Sequence, residues 1–179
     1  MTQTITSQRP FEANRDAESP NRNLTPITTE LDGTDRLVVG GCRLSDLAEC
    51  YGTPLYVLDE ATVRATCRAY RQALEKHYAG PSLPIYASKA NSSLVMSSLA
   101  ASEGLGLDAV SAGELLTALR GGMPGERMVL HGNNKSDEEL LLAYANKVTI
   151  VVDNQHDLDR LAQLVPAGAE PARLMLRFT

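Results

Sequence analysis

Apolar and polar positions between residues 83 and 178 follow two patterns that alternate along the chain. Short, mostly apolar runs of strand length are each followed by a stretch in which apolar residues recur at helical spacing. Strands are predicted at 83–88, 105–110, 127–130, 148–152 and 173–178, and helices at 94–103, 112–120, 137–146 and 155–165. Strands start about every 21 to 25 residues, a spacing typical of βα units in a parallel sheet.

Two junctions from strand to helix carry a hydroxyl residue followed three positions later by an acid. Ser111 stands before Glu114, and Ser136 before Glu139. This spacing predicts a capping box, in which each side chain accepts a hydrogen bond from the other residue's backbone N–H. Tight, regular units favour a closed (β/α)8 TIM barrel over an open doubly wound sheet. The predicted fold class is therefore α/β, with about five βα units of a partial barrel.

Residues 37–77 predict a less regular order of elements. The apolar run 37–39 precedes two glycines and predicts a strand that ends in a turn. Ser45 is expected to cap a short helix that runs to about Tyr51, and 55–58 predicts a buried strand from its aromatic and β-branched content. A long helix then opens at residue 59 or 60, with an apolar stripe at Val63, Cys67, Tyr70 and Leu74.

Composition narrows the class of protein. A chain of 179 residues, 43 % apolar and 22 % charged, can form a globular domain with a buried core. The net charge of −5, without a basic patch, argues against a nucleic-acid partner. No apolar run approaches the roughly 18 residues of a membrane span.

The cysteines and the first residues bear on location. Cys42, Cys50 and Cys67 are an odd number without CxxC spacing, which favours reduced thiols in a cytoplasmic protein over a disulfide or zinc framework. Residues 1–34 lack the apolar segment of a secretory signal, and their acids fit an organellar transit peptide poorly. This stretch predicts a disordered N-terminal tail.

An ionisable side chain follows the apolar body of each of the five predicted strands. In a barrel the carboxyl ends of the strands form the mouth of the active site, so these side chains are expected to converge there. A barrel held together by packing alone has no use for charge at that place. The five residues are Lys89, Asp108, His131, Asp153 and Arg177.

Each of these residues has a plainer interpretation when taken alone. Lys89 can be a solvated surface lysine, and Arg177 an exposed cation. Asp108 can serve the dipole of the following helix, and His131 can belong to an ordinary turn. For Asp153, the preferred interpretation is that Asp153-Asn154 forms the N-cap of the following helix. The agreement of all five with the strand repeat is what favours a site.

Strand alternation gives a specific expectation for Lys89. If Lys89 points into the barrel mouth, then Leu83, Ile85 and Ala87 point inward below it. A lysine amine above an apolar floor is partly desolvated, which makes it a better nucleophile towards an aldehyde.

Four segments carry a resemblance to a known family. They are Tyr-Ala-Ser-Lys-Ala-Asn at 86–91, Gly-Leu-Asp-Ala-Val-Ser-Ala-Gly-Glu-Leu at 106–115, His-Gly-Asn-Asn-Lys-Ser at 131–136 and Tyr-Gly-Thr-Pro-Leu-Tyr-Val at 51–57. Together they resemble the fold-type III decarboxylases that use pyridoxal 5'-phosphate (PLP), and 131–136 is similar to the diaminopimelate-specific branch. The lysine motif alone is moderately specific, and the four in this order are highly specific. The resemblance covers about residues 35–179.

The resemblance implies roles for four residues. Lys89 matches the catalytic lysine that bonds covalently to PLP, and Asp108 matches an acid beside the cofactor. His131 falls in a loop near the cofactor, and Arg177 matches a strand-end arginine close to it. The family fold is a (β/α)8 barrel with a β-sandwich domain. Residues 35–58 would be the first piece of that domain, and 59–179 the N-terminal part of the barrel.

The implied reaction is decarboxylation of meso-2,6-diaminopimelate to L-lysine and CO2 in lysine biosynthesis. The resemblance implies no metal, and a homodimer when the protein is full length. Several family parts have no match here: the glycine-rich phosphate loop, the acid that pairs with the pyridine nitrogen, a Cys-bearing segment donated across the dimer, and the remaining β domain.

Five predicted strands are also fewer than the eight of a barrel. The chain is therefore expected to be a fragment of a longer protein or a truncated copy. Alone it is expected to be unstable and inactive, or to bind PLP poorly, because 173–178 would be an unpaired edge strand.

Three other functions stay open. The first is another PLP barrel enzyme, such as an ornithine or arginine decarboxylase or a racemase. The second is a truncated module that binds PLP without turnover. The third is a sugar-phosphate barrel in which Lys89 bonds to its own substrate.

Overall fold

The computed structural model describes residues 24–178, and the chain divides into two compact units. The first unit ends at Ala65 and the second begins at Thr66. Most of the predicted tail, residues 1–23, lies outside the described residues. Its last part does contain a strand, at Glu30–Leu31.

The first unit contains a three-stranded antiparallel sheet and a short helix. The strands are β1 (Glu30–Leu31), β2 (Leu37–Val39) and β3 (Cys42–Arg43), in that order across the sheet. The predicted strand and glycine turn at 37–41 are confirmed. Gly40 and Gly41 both have positive φ, 58° and 79°, which suits the two-residue turn between β2 and β3.

Helix α1 (Leu44–Tyr51) follows β3 directly. The predicted cap at Ser45 is wrong, because the N-cap is Arg43, two residues earlier, and the helix starts at Leu44. The Ser45 hydroxyl lies inside the first turn and donates to Asp46 instead, at 3.1 Å.

The predicted buried strand at 55–58 is also wrong. This segment is irregular, and its four apolar side chains are exposed. A strand needs a neighbour to accept and donate its backbone hydrogen bonds. None of the described strands pairs with 55–58.

Helix α2 (Glu60–His77) begins where the sequence predicts. Asp59 caps it, since its Oδ2 accepts the Thr62 N–H at 3.1 Å. Of the predicted apolar stripe, Cys67 is buried and Tyr70 is exposed.

The second unit is a parallel α/β sheet whose strands pair in chain order, β4-β5-β6-β7-β8. This confirms the predicted α/β fold class and all five predicted strands. The strands are β4 (Ile85–Ala87), β5 (Gly106–Ala109), β6 (Met128–Leu130), β7 (Thr149–Val152) and β8 (Leu174–Leu176). The helices between them are α3 (Leu94–Ser102), α4 (Ala112–Arg120), α5 (Asp137–Ala145) and α6 (Gln155–Leu164). Single 3-10 turns occupy Ser88–Ala90 and Gly125–Arg127.

Both faces of the central strands carry buried apolar residues, with Val129 at 7% and Val151 at 3% exposure on one face. The deepest part of the core lies along the alternate residues of these strands, on the opposite face. Their side chains are fully buried at Leu107, Ala109, Met128, Leu130 and Ile150. In a strand, successive side chains point to opposite faces. Asp108 lies between two of these buried residues and therefore belongs to the other face of the sheet.

No helix within residues 24–178 has both the length and the apolar content that a bilayer crossing requires.

Candidate functional site

Three of the predicted site residues lie on neighbouring strands at the carboxyl edge of the parallel sheet. Lys89 lies in the 3-10 turn that follows β4, Asp108 lies within β5, and His131 comes directly after β6. The register places Ala87 beside Asp108, and the His131 N–H donates to the Ala109 carbonyl at 2.8 Å. The strand order thus brings these residues together, as predicted for a barrel mouth.

Asp108 is the most perturbed group of this cluster. Its Oδ1 lies 3.6 Å from His131 Nε2, is shielded from solvent and has no hydrogen-bond partner among the described residues. Burial raises the pKa of Asp108; electrostatic interactions with His131 and Lys89 oppose this rise, and the interaction with Glu114 adds to it. A carboxyl whose pKa is shifted by burial and by specific charged neighbours is typical of a functional site.

Lys89 is exposed, and the turn that carries it is anchored by a hydrogen bond from the preceding residue, Ser88. The buried Ser88 hydroxyl donates to Glu114 Oε2 at 2.6 Å, and the same oxygen accepts the Val110 N–H at 2.8 Å. One carboxylate therefore joins the end of β4 to the end of β5. Sequence reasoning missed this role of Glu114, because the contact with Ser88 spans 26 residues.

This finding corrects the prediction of a capping box at Ser111 and Glu114. Ser111 does cap α4, accepting the Glu114 N–H at 3.2 Å. The Glu114 side chain bonds to Ser88 and Val110 instead of returning to Ser111. The second predicted box is complete, since Ser136 accepts from the Glu139 N–H and Glu139 accepts from the Ser136 N–H.

The apolar floor predicted beneath Lys89 is present but open to solvent. The register places Ile85 beside Gly106 and Ala87 beside Asp108, on the face of the sheet that carries Asp108. Strand alternation stops at Ala87, because the backbone turns where Ser88 reaches Glu114. Leu83 precedes the strand, and both Leu83 and Ile85 are exposed.

The other two predicted residues lie at the same sheet edge without a side-chain bond to this cluster. Asp153 is exposed and accepts a hydrogen bond from the Asn154 side chain at 2.8 Å. Of the predicted capping pair Asp153-Asn154, Asn154 is the N-cap of α6. Arg177 is exposed just after β8, and its N–H donates to the Val152 carbonyl at 2.9 Å.

The comparison with protein families decides what this edge belongs to. Residues 60–179 match the family model described as "Pyridoxal-dependent decarboxylase, pyridoxal binding domain". The chain belongs to the pyridoxal-dependent decarboxylase family. Within residues 24–178, no group of three or more His, Cys, Asp or Glu side chains is arranged to hold a metal ion.

Curated members of the pyridoxal-dependent decarboxylase family resemble this chain over most of its length. It is 44% identical to a Synechocystis diaminopimelate decarboxylase over 169 residues, which are 90% of this chain and 36% of that protein. It is 45% identical to the Bacillus subtilis enzyme of the same name over 157 residues, with coverages of 83% and 35%. The chain thus spans about a third of the length of these relatives.

Solved structures agree with the family assignment. A diaminopimelate decarboxylase from M. jannaschii in complex with L-lysine superposes with a TM-score of 0.77 at 30% identity, covering 84% of this chain and 35% of that one. A Chlorella virus arginine decarboxylase superposes at 0.61 with 17% identity, over 74% of this chain and 35% of that one, and shows the shared fold alone.

The residues at the sheet edge fit the family's cofactor. PLP presents an aldehyde, which a lysine amine can attack, and a polar ring and phosphate that need hydrogen-bonding groups. The structure supplies an exposed amine at Lys89 and, beside it, the buried oxygen of Asp108 that has no partner among the described residues. An orphaned polar atom of this kind marks a place where a ligand group can satisfy it.

Proposed function

We propose that this chain is the cofactor-lysine portion of a diaminopimelate decarboxylase, and that the whole protein converts meso-2,6-diaminopimelate to L-lysine and CO2. The observation that carries the proposal is the cluster at the sheet edge. The turn that carries Lys89 follows Ala87, the neighbour of Asp108 in the sheet, and Asp108 Oδ1 lies 3.6 Å from His131 Nε2. The substrate assignment rests on the names of the relatives and on the motif at 131–136.

The residues of this edge would hold PLP, and each would contact a different part of the cofactor. When bound, PLP supplies the aldehyde for a covalent bond to lysine and a ring that takes up the electrons released as CO2 leaves. Lys89 offers an exposed amine on a turn that Ser88 and Glu114 fix in place. Asp108 offers a carboxyl able to hold a proton or a charge near that amine.

His131 and Arg177 would complete the cofactor contacts from the next strands. The His131 side chain is 37% exposed, and its Nε2 lies 3.6 Å from the shielded Asp108 Oδ1. Arg177 brings a cation to the end of β8, which would suit the phosphate or a carboxylate of the substrate.

Other parts of the proposal concern the whole protein. Residues 35–58 would be the first segment of a β domain, and 59–179 the N-terminal part of the barrel. The complete enzyme would be a cytoplasmic homodimer. Support for a reducing compartment comes from the free thiols of Cys42, Cys50 and Cys67.

The first test is chemical labelling of the natural gene product. It is incubated with PLP, reduced with borohydride, digested and mapped by mass spectrometry. We expect the label on Lys89 and its loss in Lys89→Ala, whereas Lys76→Ala, which removes a lysine from the last turn of α2, keeps it. An unlabelled Lys89 in the parent protein would refute the cofactor assignment.

The second test is CO2 release from separate amino acids. Meso-diaminopimelate is expected to react, and ornithine, arginine and lysine are not. Release from ornithine or arginine would reassign the substrate. Labelling of Lys89 without release from any of them would leave a PLP-binding module.

A further inference from the structure

Two charges are buried almost completely between the third and fourth βα units of the second sheet. Lys135 Nζ lies 2.7 Å from Asp157 Oδ2, and the two side chains are 1% and 2% exposed. Lys135 Nζ also donates to the Gly132 carbonyl. Charges are this deeply buried only when they are paired, because their removal from water is costly.

The pair connects two loops at the carboxyl edge of the sheet. Lys135 belongs to the loop between β6 and α5, and Asp157 to the first turn of α6. The Asp157 N–H is itself held by Asn154 Oδ1 at 2.9 Å, so the carboxylate has a fixed place. Lys135 thereby fastens the loop after β6 to the unit that follows.

The bond to Gly132 is the part of this arrangement that acts on the site. Gly132 has φ of 133°, a conformation that suits glycine, and it directly follows His131. Its carbonyl is held by a buried ammonium that cannot move freely. The backbone next to His131 is thus connected to Asp157 through the Lys135 side chain.

We propose that Lys135 and Asp157 are positioning residues for His131, and through it for Asp108. The consequence for catalysis rests on the function proposed above; the effect on the histidine does not. Two hydrophobic residues of similar volume often stabilise a fold as well as a buried ion pair does. Such residues cannot donate a hydrogen bond to the Gly132 carbonyl. What the ion pair contributes is therefore the orientation of the backbone at Gly132 rather than stability.

The decisive experiment separates stability from position with matched variants of the natural gene product. Lys135→Met alone strands a buried carboxylate and is expected to lower the melting temperature. Lys135→Met with Asp157→Leu removes both charges and is expected to restore most of that loss. Lys135→Gln with Asp157→Asn keeps neutral groups able to donate to the Gly132 carbonyl and to each other.

The readout is the imidazole ¹H–¹⁵N spectrum of the PLP-free protein. We expect the His131 cross-peaks to shift and broaden in the Met/Leu variant and to return close to the parent position in the Gln/Asn variant. His77, at the end of α2, is the internal reference and should not move. Arg68→Met, which breaks the ion pair of Arg68 with Glu103, controls for lost stability and should leave His131 unchanged.

Parent-like His131 cross-peaks in a folded Met/Leu variant would overturn the proposal. Displaced peaks in a folded Gln/Asn variant would also overturn it, which keeps the test valid should the Met/Leu protein fail to fold. In the PLP-loaded protein, a misplacement of about 1 Å is expected to lower kcat on the order of 100-fold in the Met/Leu variant. A parent protein that decarboxylates nothing would refute the function and leave the spectral result standing.

Discussion

The two faces of the parallel sheet differ sharply within a single strand. On β5, Leu107 and Ala109 are fully buried against the core, while Asp108 between them is partly exposed beside His131. The core face is apolar, and the other face combines the buried Val129 and Val151 with a carboxyl whose pKa burial raises. One short strand can therefore contribute both to the core and to the candidate site, because its successive side chains point to opposite faces of the sheet.

The largest expected effect lies on the core face. Leu130→Ala in β6 removes a fully buried side chain and is expected to lower the free energy of unfolding by about 2–5 kcal/mol. The control is Leu141→Ala on the exposed side of α5, which should change it by less than about 0.5 kcal/mol. Urea denaturation measures both, and equal effects would contradict the assignment of Leu130 to the buried core.

A smaller loss of stability is expected for a change at Glu114, in the first turn of α4. Glu114→Leu strands the buried Ser88 hydroxyl and the Val110 N–H, at a cost of about 1–3 kcal/mol. It should also weaken PLP binding, because the Lys89 turn loses its anchor. Glu138→Leu, at an exposed position in the first turn of α5, is the matched control for loss of a helix-end acid. PLP titration followed by absorbance would show no difference between the two variants if Glu114 were merely a helix-end charge.

The helix ends along the carboxyl edge should respond next. Ser136→Ala removes the cap and half of the capping box of α5, for an expected loss of about 1 kcal/mol. Ser45→Ala, in a helix where the serine does not cap, should stay within about 0.5 kcal/mol of the parent. Thermal melting compares the pair, and a larger loss at Ser45 would contradict the assignment of the caps.

The smallest effect, and the one of opposite sign, is expected at Asp108. Because burial raises its pKa, the folded state binds a proton more readily than the unfolded state, whose value is near 3.8. The folded state therefore loses stability as pH rises from that value through the raised one. Asp108→Asn should make the PLP-free protein more stable at pH 7 and have little effect well below pH 3.8. Urea denaturation at a series of pH values measures the free energy of unfolding of both proteins. A difference between them that does not change with pH would contradict this prediction.

The sequence predicts most of the sheet and only part of the site. Alternating apolar runs identify all five strands, and the spacing of Ser136 and Glu139 identifies a true capping box, because both signals are local. The segment 55–58 misleads, since strand propensity does not supply a pairing partner. Lys89, Asp108 and His131 are found because strand ends of a parallel sheet share one edge.

The groups that support those three residues could not be predicted in the same way. Glu114 has the spacing of a capping box, but its side chain accepts hydrogen bonds from Ser88 and Val110 instead. Lys135 and Asp157 look like ordinary surface charges, and their contact spans 22 residues. Only tertiary packing decides which charged residues leave the surface, so local spacing carries no trace of this choice.

The strictly sequential order of the strands has a consequence for biosynthesis. Each strand from β5 to β8 pairs with the strand that precedes it in the chain. During synthesis, each new strand can therefore pair with one that has already been translated. Assembly can then follow translation from one end to the other, with short loops to close at each step. The lysine turn and its glutamate anchor would be built early, and the later strands would be added to a template that already holds the reactive amine.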